Sequence, residues 1–239
     1  MDNLKNTDKN GEYLEVIYSE ERKPKNDYPK LLAKYLKELH LNGSGSMLDV
    51  GCGRGDLMHE FYGLGYKIRG LDISLSSKEF CSPPHLVDTI NFENEKFPFK
   101  DGSFSFLYSK SVIEHLNNPL HTMKESYRVL ERGGKAVFLT PSWNHTCSTS
   151  FYIDHTHVTP FTLPSLRDAL LMSGFKDVKV VYFTQLPFVW GRPKLDYMVR
   201  LLAKIPFPYA PVQDVRLPQS INKFVRFSKE TMLLATCSK

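Results

Sequence analysis

The chain has 239 residues, of which 41% are hydrophobic and 24% charged, and its formal net charge is +5. This is a globular composition, which excludes a disordered chain, and the length fits one compact α/β domain with an extension better than two independent domains. The mild basic excess is compatible with phosphorylated substrates, nucleic acid or an anionic membrane surface, and it selects none of them.

Several classes of protein are disfavoured by simple signals. The four cysteines, at positions 52, 81, 147 and 237, are scattered and form no CxxC pair, so neither a zinc ribbon nor a thioredoxin-type site is expected. Residues 1–10 are polar and lack the apolar core of a signal peptide. No apolar run approaches the roughly 20 residues that span a bilayer. We therefore expect a cytoplasmic protein with reduced thiols.

Apolar spacing predicts helices that alternate with strands. After a polar lead-in over 1–27, the predicted elements are a helix at 28–39, strands at 47–50 and 66–73 separated by a helix at 56–64, a weak strand at 85–88, a strand at 104–108, a helix at 119–130 that ends at Arg132-Gly-Gly134, a strand at 135–140, a helix at 162–173 and strands at 178–183 and 231–236. This order predicts a Rossmann-like, doubly wound, mostly parallel seven-stranded sheet with helices on both faces.

The segment 184–229 is too long for a hairpin loop and is predicted to be an insertion between the last two strands. The chain is then one domain, with a lead-in and helix over 1–45, a core over 46–183, the insertion, and the final strand within 230–239. The insertion has eight basic and two acidic residues, a surplus of six. Its apolar stripe at helical spacing comprises Leu195, Met198, Val199, Leu202 and Ile205.

Such a basic amphipathic helix can rest on an anionic membrane, which would make the protein peripheral there. We favour a lid whose stripe packs on the domain, because amphipathic helices usually face a core.

A glycine-rich turn follows the first strand in Leu48-Asp-Val-Gly-Cys-Gly-Arg-Gly-Asp56. Gly51, Gly53 and Gly55 let the backbone turn sharply and approach a ligand closely. Asp56 stands where a dinucleotide fingerprint needs its third glycine, and no Gly-Lys-Ser/Thr follows, which excludes a P-loop. Asp72 ends the second strand about 20 residues later, where an acidic side chain can accept bonds from ribose hydroxyls.

The motif from Asp49 to Gly55 resembles motif I of class I S-adenosylmethionine-dependent methyltransferases, and Asp72 falls at their ribose-binding acid. Residues 91–104 resemble the segment that wraps the adenine, 109–116 the loop after strand four, and 127–135 the helix and turn before strand five. The match runs from about residue 45 to 183. The ordered set is specific to the family, although each piece is weak alone.

The resemblance implies a cofactor-binding role for ten residues. Gly51 and Gly53 would lie against the methionine part, Asp72 would bind ribose, and Ser109 and Lys110 would offer backbone groups to the amino acid end. Asn91 would face the adenine amine, where many relatives hold an aspartate, and Phe92 would lie beside the ring. The resemblance also implies that Asp49, Cys52 and Ile73 belong to the cofactor-binding site.

Two segments supply candidate catalytic groups, because an alcohol acceptor must lose a proton to a nearby base. Glu114 and His115 follow strand four at the carboxyl edge of the sheet, where open α/β proteins bind ligands. Related O-methyltransferases of ubiquinone precursors or RNA ends hold a divalent metal with such a pair. Those enzymes add an acid at the place of Ser111, so the metal site looks incomplete and we predict no metal. In the alternative interpretation, the pair only braces the loop.

Ile153-Asp-His-Thr-His-Val-Thr-Pro-Phe161 resembles a segment of bacterial sugar and surface-glycan methyltransferases. The resemblance implies that His155 or His157 is the general base, although both could simply pin the loop.

Three functions remain open. The leading hypothesis is O-methylation of a sugar or glycan with S-adenosylmethionine. The second is methylation of a lipid-linked quinone or small phenol, and the third is a non-catalytic scaffold that binds the cofactor. Nucleic acid is a weak partner candidate because no RNA module accompanies the basic residues. The oligomeric state stays open.

Overall fold

The computed structural model describes residues 25–81, 86–207, 209 and 219–239. Most of the predicted lead-in, and His85 at the start of the predicted weak strand, lie outside the described residues. Among the described residues, no helix combines the length and the apolar character that crossing a bilayer requires.

The described helices and strands alternate as predicted. In chain order they are α1 (Tyr28–Leu39), β1 (Ser46–Val50), α2 (Asp56–Gly63), β2 (Lys67–Asp72), α3 (Ser77–Phe80), β3 (Leu86–Thr89), β4 (Phe104–Lys110), α4 (Pro119–Val129), β5 (Leu130–Pro141), α5 (Trp143–Thr146), α6 (Leu163–Met172), β6 (Lys176–Phe183), α7 (Pro193–Leu202), α8 (Gln219–Lys229) and β7 (Met232–Ser238). Short 3₁₀ turns lie at 113–115, 151–153 and 187–189.

The seven strands form one sheet in the order β3-β2-β1-β4-β5-β7-β6. The first five strands pair in parallel, whereas β7 runs antiparallel to both β5 and β6. This arrangement confirms the predicted Rossmann-like, mostly parallel sheet.

Alternating side chains of the central strands feed two hydrophobic clusters, one on each face. On β5, Ala136 and Phe138 join the cluster that includes Leu166 of α6, whereas Val137 and Leu139 join the cluster of α1 and α2. A strand whose two faces are both covered buries successive residues in this way. The helices therefore lie on both faces, as expected.

The predicted glycine cap of α4 is wrong. The helix ends at Val129, Leu130 already has an extended conformation, and β5 begins there rather than at Lys135. The backbone N–H of Gly133 donates to Lys239 O at 3.0 Å, and Lys239 N–H donates to Gly134 O at 3.1 Å. Pairing with the last residue of the chain thus overrides the local cap signal.

Parallel pairing places the carboxyl ends of β1, β2, β4 and β5 at one edge of the sheet. Since β6 is antiparallel to β7, which is antiparallel to β5, β6 also ends at this edge. The insertion leaves β6 after Phe183 and enters β7 at Met232, so both of its ends lie beside the turns that follow the parallel strands.

The apolar stripe of the insertion does not pack on the domain as a lid would. Val199 is buried, but Met198 and Leu202 are each 57% exposed and Ile205 is 55% exposed. Trp190 holds the insertion against the domain instead. The centroid of its ring lies 5.1 Å from that of Tyr35 and 5.3 Å from that of Phe183.

Candidate active site

The glycine-rich turn after β1 is tied to the end of β2. The N–H groups of Gly51 and Cys52 both donate to Leu71 O, at 2.7 and 3.2 Å. Gly51 has φ +76°, and a Cβ there would lie 2.2 Å from Cγ2 of Val112 in the turn after β4. The two turns therefore approach so closely that only glycine fits at position 51.

Asp72 holds the same turn through its carboxylate. Oδ2 accepts the N–H of Gly53 at 2.7 Å, and Oδ1 accepts the N–H of Ser74 at 2.9 Å. The backbone N–H of Ile73 is a third donor to this carboxylate, and because a carboxylate offers about four acceptor positions, it can still accept a further hydrogen bond. The predicted ribose ligand is thus also a brace of the glycine-rich turn.

Asp49 and Asp72 are buried behind this turn, and the partly buried Lys110 interacts electrostatically with Asp49. Burial, together with the nearby charge of Asp72 and against that of Lys110, raises the pKa of Asp49 to about 8. Burial also raises the pKa of Asp72, against the N–H bonds from Ser74 and Gly53, and it lowers the pKa of Lys110. Two buried acids beside a glycine turn fit a cofactor that carries a cationic sulfonium and an ammonium group.

Other predicted cofactor residues occupy different environments. Cys52 is buried, and a hydrogen bond with Cys81, together with burial, raises the pKa of its thiol. Ser109 is buried and donates its hydroxyl to Val50 O at 3.0 Å, which joins β4 to β1. Ile73 is partly buried against the main hydrophobic cluster.

The predicted adenine contacts differ in exposure. The side chain of Asn91 is exposed, and its Oδ1 accepts the N–H of Glu93 at 3.3 Å. Phe92 is buried in the hydrophobic cluster, and its carbonyl accepts the hydroxyl of Thr122 at 3.0 Å. Asn91 is thus the more accessible of the two to a ligand, and both adenine roles remain predictions.

The turn after β4 and the segment after β5 meet at Glu114. The carbonyl of Glu114 accepts the N–H groups of Val158 and Thr159 at 2.9 and 3.0 Å. Its side chain is fully buried, and Oε2 accepts the hydroxyl of Thr140 at 2.9 Å. Burial raises the pKa of this carboxyl to about 7, although the Thr140 hydrogen bond and Lys110 act in the opposite direction. Glu114 therefore changes charge near neutral pH.

A hydrogen-bond chain orients the imidazole of His115. The hydroxyl of Thr156 donates to Oδ1 of Asp154 at 2.6 Å, and Oγ1 of Thr156 lies 2.8 Å from Nδ1 of His115. Since the single hydroxyl proton goes to the carboxylate, Oγ1 of Thr156 must accept a hydrogen bond from the N–H at Nδ1. Nε2 of neutral His115 then carries the lone pair, which is the form of imidazole that takes a proton or binds a metal.

His157 completes this group, whereas His155 does not join it. The rings of His115 and His157 lie 4.5 Å apart, edge to face. Ligand atoms of Glu114, His115 and His157 all lie within 4.8 Å of one another. His155 is exposed. The structure thus brings together three of the four predicted catalytic residues.

Two contributors to the site were missed by sequence reasoning. Thr140 and Thr156 orient Glu114 and His115, but an isolated threonine has no distinctive spacing signal. Ser111 has φ +56°, an unusual backbone conformation for a residue other than glycine. Such conformations concentrate at functional sites, and the turn after β4 is one element of this site.

The class of protein follows from the fold, the site and a family match. The sequence pattern of the methyltransferase domain matches residues 18–180, and the chain belongs to this family. It is an S-adenosylmethionine-dependent methyltransferase, which confirms the predicted enzyme class and cofactor and disfavours the non-catalytic alternative.

Individual relatives are distant and act on different acceptors. The chain is 25% identical to a sarcosine/dimethylglycine N-methyltransferase of Halorhodospira halochloris, over 78% of this chain and 72% of that one. It is 28% identical to a ubiquinone biosynthesis O-methyltransferase of Nitrosococcus oceani, over 50% of this chain and 53% of that one, so it spans only about half of that relative.

The fold is also that of a solved S-adenosylmethionine-dependent methyltransferase from Archaeoglobus fulgidus. That structure is 18% identical and superposes with a TM-score of 0.62, covering 93% of this chain and 98% of that one.

Proposed function

We propose that this methyltransferase transfers the methyl group to a hydroxyl of a sugar or glycan, with His115 as the general base. The main support for His115 as the base is the hydrogen-bond chain from Asp154 through Thr156 to His115, because it leaves the lone pair on Nε2. The sugar class is supported by the likeness of Ile153–Phe161 to glycan methyltransferases, since this segment carries Asp154, Thr156 and His157.

S-Adenosylmethionine supplies an activated methyl group when bound, so the protein has to position the acceptor and remove its proton. Gly51, Gly53 and Asp72 would hold the cofactor. The side chains of Asp49 and Lys110 would determine the electrostatic potential next to it. His115 would take the hydroxyl proton at Nε2 as the acceptor oxygen becomes nucleophilic. Thr156 and Asp154 would then stabilise the imidazolium through the hydrogen bond at Nδ1.

A second candidate function is methylation of a phenol or quinone precursor with a divalent metal. It is favoured by the 4.8 Å cluster of Glu114, His115 and His157, because one carboxylate and two imidazoles are ligands that transition metals accept. In this case, the same three side chains would position the acceptor oxygen through the metal rather than through a base.

The test is methyl transfer from labelled S-adenosylmethionine to a panel of sugar nucleotides, glycolipids, catechols, amines and RNA, with EDTA and with added Mn²⁺. We expect labelling of a sugar hydroxyl that EDTA leaves unchanged. Replacement His115→Gln should lower kcat by about 10²- to 10⁴-fold, the usual contribution of a general base, without weakening cofactor binding. His155→Gln is the matched control and should change kcat by less than about threefold, because His155 lies outside the cluster.

Other outcomes would distinguish between the two candidate functions or refute both. Labelling of catechols that EDTA abolishes and Mn²⁺ restores would establish the second candidate. Labelling confined to amines or to RNA would refute both proposals, as would equal losses in the two histidine variants.

A further inference from the structure

The insertion exposes an apolar face on α7, on the turn after it and on α8. Eight large hydrophobic side chains of these elements are between 44% and 65% exposed: Tyr197, Met198, Leu201, Leu202, Ile205, Phe207, Ile221 and Phe224. We call this set the apolar face. Scattered exposed apolar residues are ordinary, but a concentration of this kind marks an interaction surface.

A groove gives the apolar face its shape. It has a volume of about 170 Å³ and is lined mainly by Leu202, Ile205, Phe207 and Phe224. Nζ of Lys229 on α8 donates to the carbonyls of Ala203 and Ile205 at 2.6 and 2.7 Å, which joins the two helices. Their apolar residues are thus held together as one surface.

The exposed charges on and beside α7 and α8 are mainly basic among the described residues. Exposed cations come from Arg192, Lys194, Lys204 and Lys223. In the described part of 184–229, the acidic residue is Asp196, and Arg200 neutralises it with an ion pair at 2.6 Å. This part of the insertion therefore presents uncompensated positive charge together with apolar side chains.

The position of the insertion relates this face to the site. The insertion begins and ends at the carboxyl edge of the sheet, and Trp190 fixes its start through a hydrogen bond from Nε1 to Thr184 O at 2.9 Å. The segment after β5 lies at the same edge and exposes Tyr152, Ile153 and Val158. A partner that covers the apolar face would therefore lie near the entrance to the site.

We propose that the apolar face docks on an anionic lipid surface. Its apolar side chains match the acyl region of the bilayer, and the surrounding lysines and arginine match lipid phosphates. This charge complementarity favours a bilayer over a second copy of the chain, because two such faces would bring like charges together. Docking would hold the carboxyl edge of the sheet next to the membrane.

The test is co-sedimentation of the full chain with phosphatidylcholine vesicles, with and without about one-third phosphatidylglycerol. We expect binding only to the anionic vesicles, weakened by salt. Met198→Glu should reduce binding at least tenfold, whereas Met172→Glu is the matched control, because Met172 is 69% exposed on α6 at the opposite edge. Lys204→Glu should reduce binding about fivefold or more, and Lys100→Glu, which precedes β4 at that opposite edge, should leave it unchanged.

Binding does not require methyl transfer, so this test stands apart from the proposed function. Equal binding to neutral and anionic vesicles would overturn the proposal, as would equal losses in the test and control variants. A concentration-dependent dimer that Met198→Glu abolishes would show that a second copy covers the face. Absence of both vesicle binding and dimerisation would also refute docking.

Discussion

Burial of an acidic side chain controls the chemistry at Glu114. Its carboxyl has no solvent exposure, and its pKa is raised from 4.5 to about 7 mainly by burial. A carboxyl group whose pKa is higher in the folded than in the unfolded state favours folding most below its unfolded pKa. The advantage is lost as pH rises towards the folded value.

We expect Glu114→Gln to change the pH dependence of stability. As pH rises from 4.5 to 8, the free energy of unfolding of the wild type should fall relative to that of the variant by up to about 3 kcal/mol. The measurement is urea denaturation at a series of pH values, with EDTA present to remove metals. A constant difference between the two proteins across this range would contradict the assigned burial of the charge.

The sequence predicts a sharp turn well where the turn depends on local spacing. Gly51 and Gly53 have positive φ angles in this turn and Asp72 accepts the N–H of Gly53, whereas their contacts with the cofactor remain predictions. Thr156 could not be predicted, because it acts only when the segment after β5 folds against the turn after β4. A single sequence contains no direct record of such a long-range contact.

At the scale of elements, the turns after β1 and β4 depend on each other. Gly51 combines a positive φ with a close approach to Val112, whereas Gly133 has a similar φ of +78° and open space where a Cβ would lie. Comparison of these two positions separates backbone strain from the contact between turns.

Gly133→Ala should cost about 1 kcal/mol from strain alone, and Gly51→Ala about 2–4 kcal/mol, because overpacking adds to the strain. Part of the larger cost should disappear in Gly51→Ala/Val112→Ala, where the clashing methyl groups are gone. Chemical denaturation of the three single variants and the double variant gives the coupling energy. A coupling energy near zero would show that the turns adjust independently.

Elements with strong periodicity were predicted closely, and errors arose where distant pairing decided the structure. The helix predicted at 162–173 is observed as Leu163–Met172, with Thr162 as its N-cap. In contrast, β5 extends back to Leu130 because Leu130 pairs with Phe104 of β4, and Gly133 and Gly134 bond to Lys239. The exposed stripe of α7 has the same periodicity as a buried one, so the pattern could not show which side faces a partner.

The whole molecule couples cofactor binding to stability, since Asp72 braces the turn that the cofactor would contact. S-Adenosylmethionine at 100 times its Kd should stabilise the fold by about 2.7 kcal/mol, which corresponds to roughly 5–10 °C in Tm for a chain of this size.

Asp72→Asn should weaken cofactor binding about 10- to 100-fold, because an amide nitrogen cannot accept a ribose hydroxyl, and the rise in Tm should shrink accordingly. Asp88→Asn is a matched control, since Asp88 lies on neighbouring β3 and pairs with Arg69. Thermal unfolding of each protein at increasing cofactor concentrations measures the rise in Tm and the affinity for the cofactor. Equal rises in Tm for the wild type and Asp72→Asn would exclude Asp72 as a cofactor ligand.

The overall architecture was predictable because the alternation of strands and helices leaves few parallel topologies. The acceptor was not, because the side chains of the segment after β5 and of the insertion reach the carboxyl edge of the sheet only through tertiary placement. Relatives whose names indicate different acceptors match the same family of domains.

The reversed direction of β7 has an evolutionary consequence. Because β6 ends and β7 begins at the same edge, the insertion joins two adjacent antiparallel strands, and its length can change without displacing any strand. Exchange of this insertion between relatives is therefore a route by which one unaltered scaffold could acquire new acceptors.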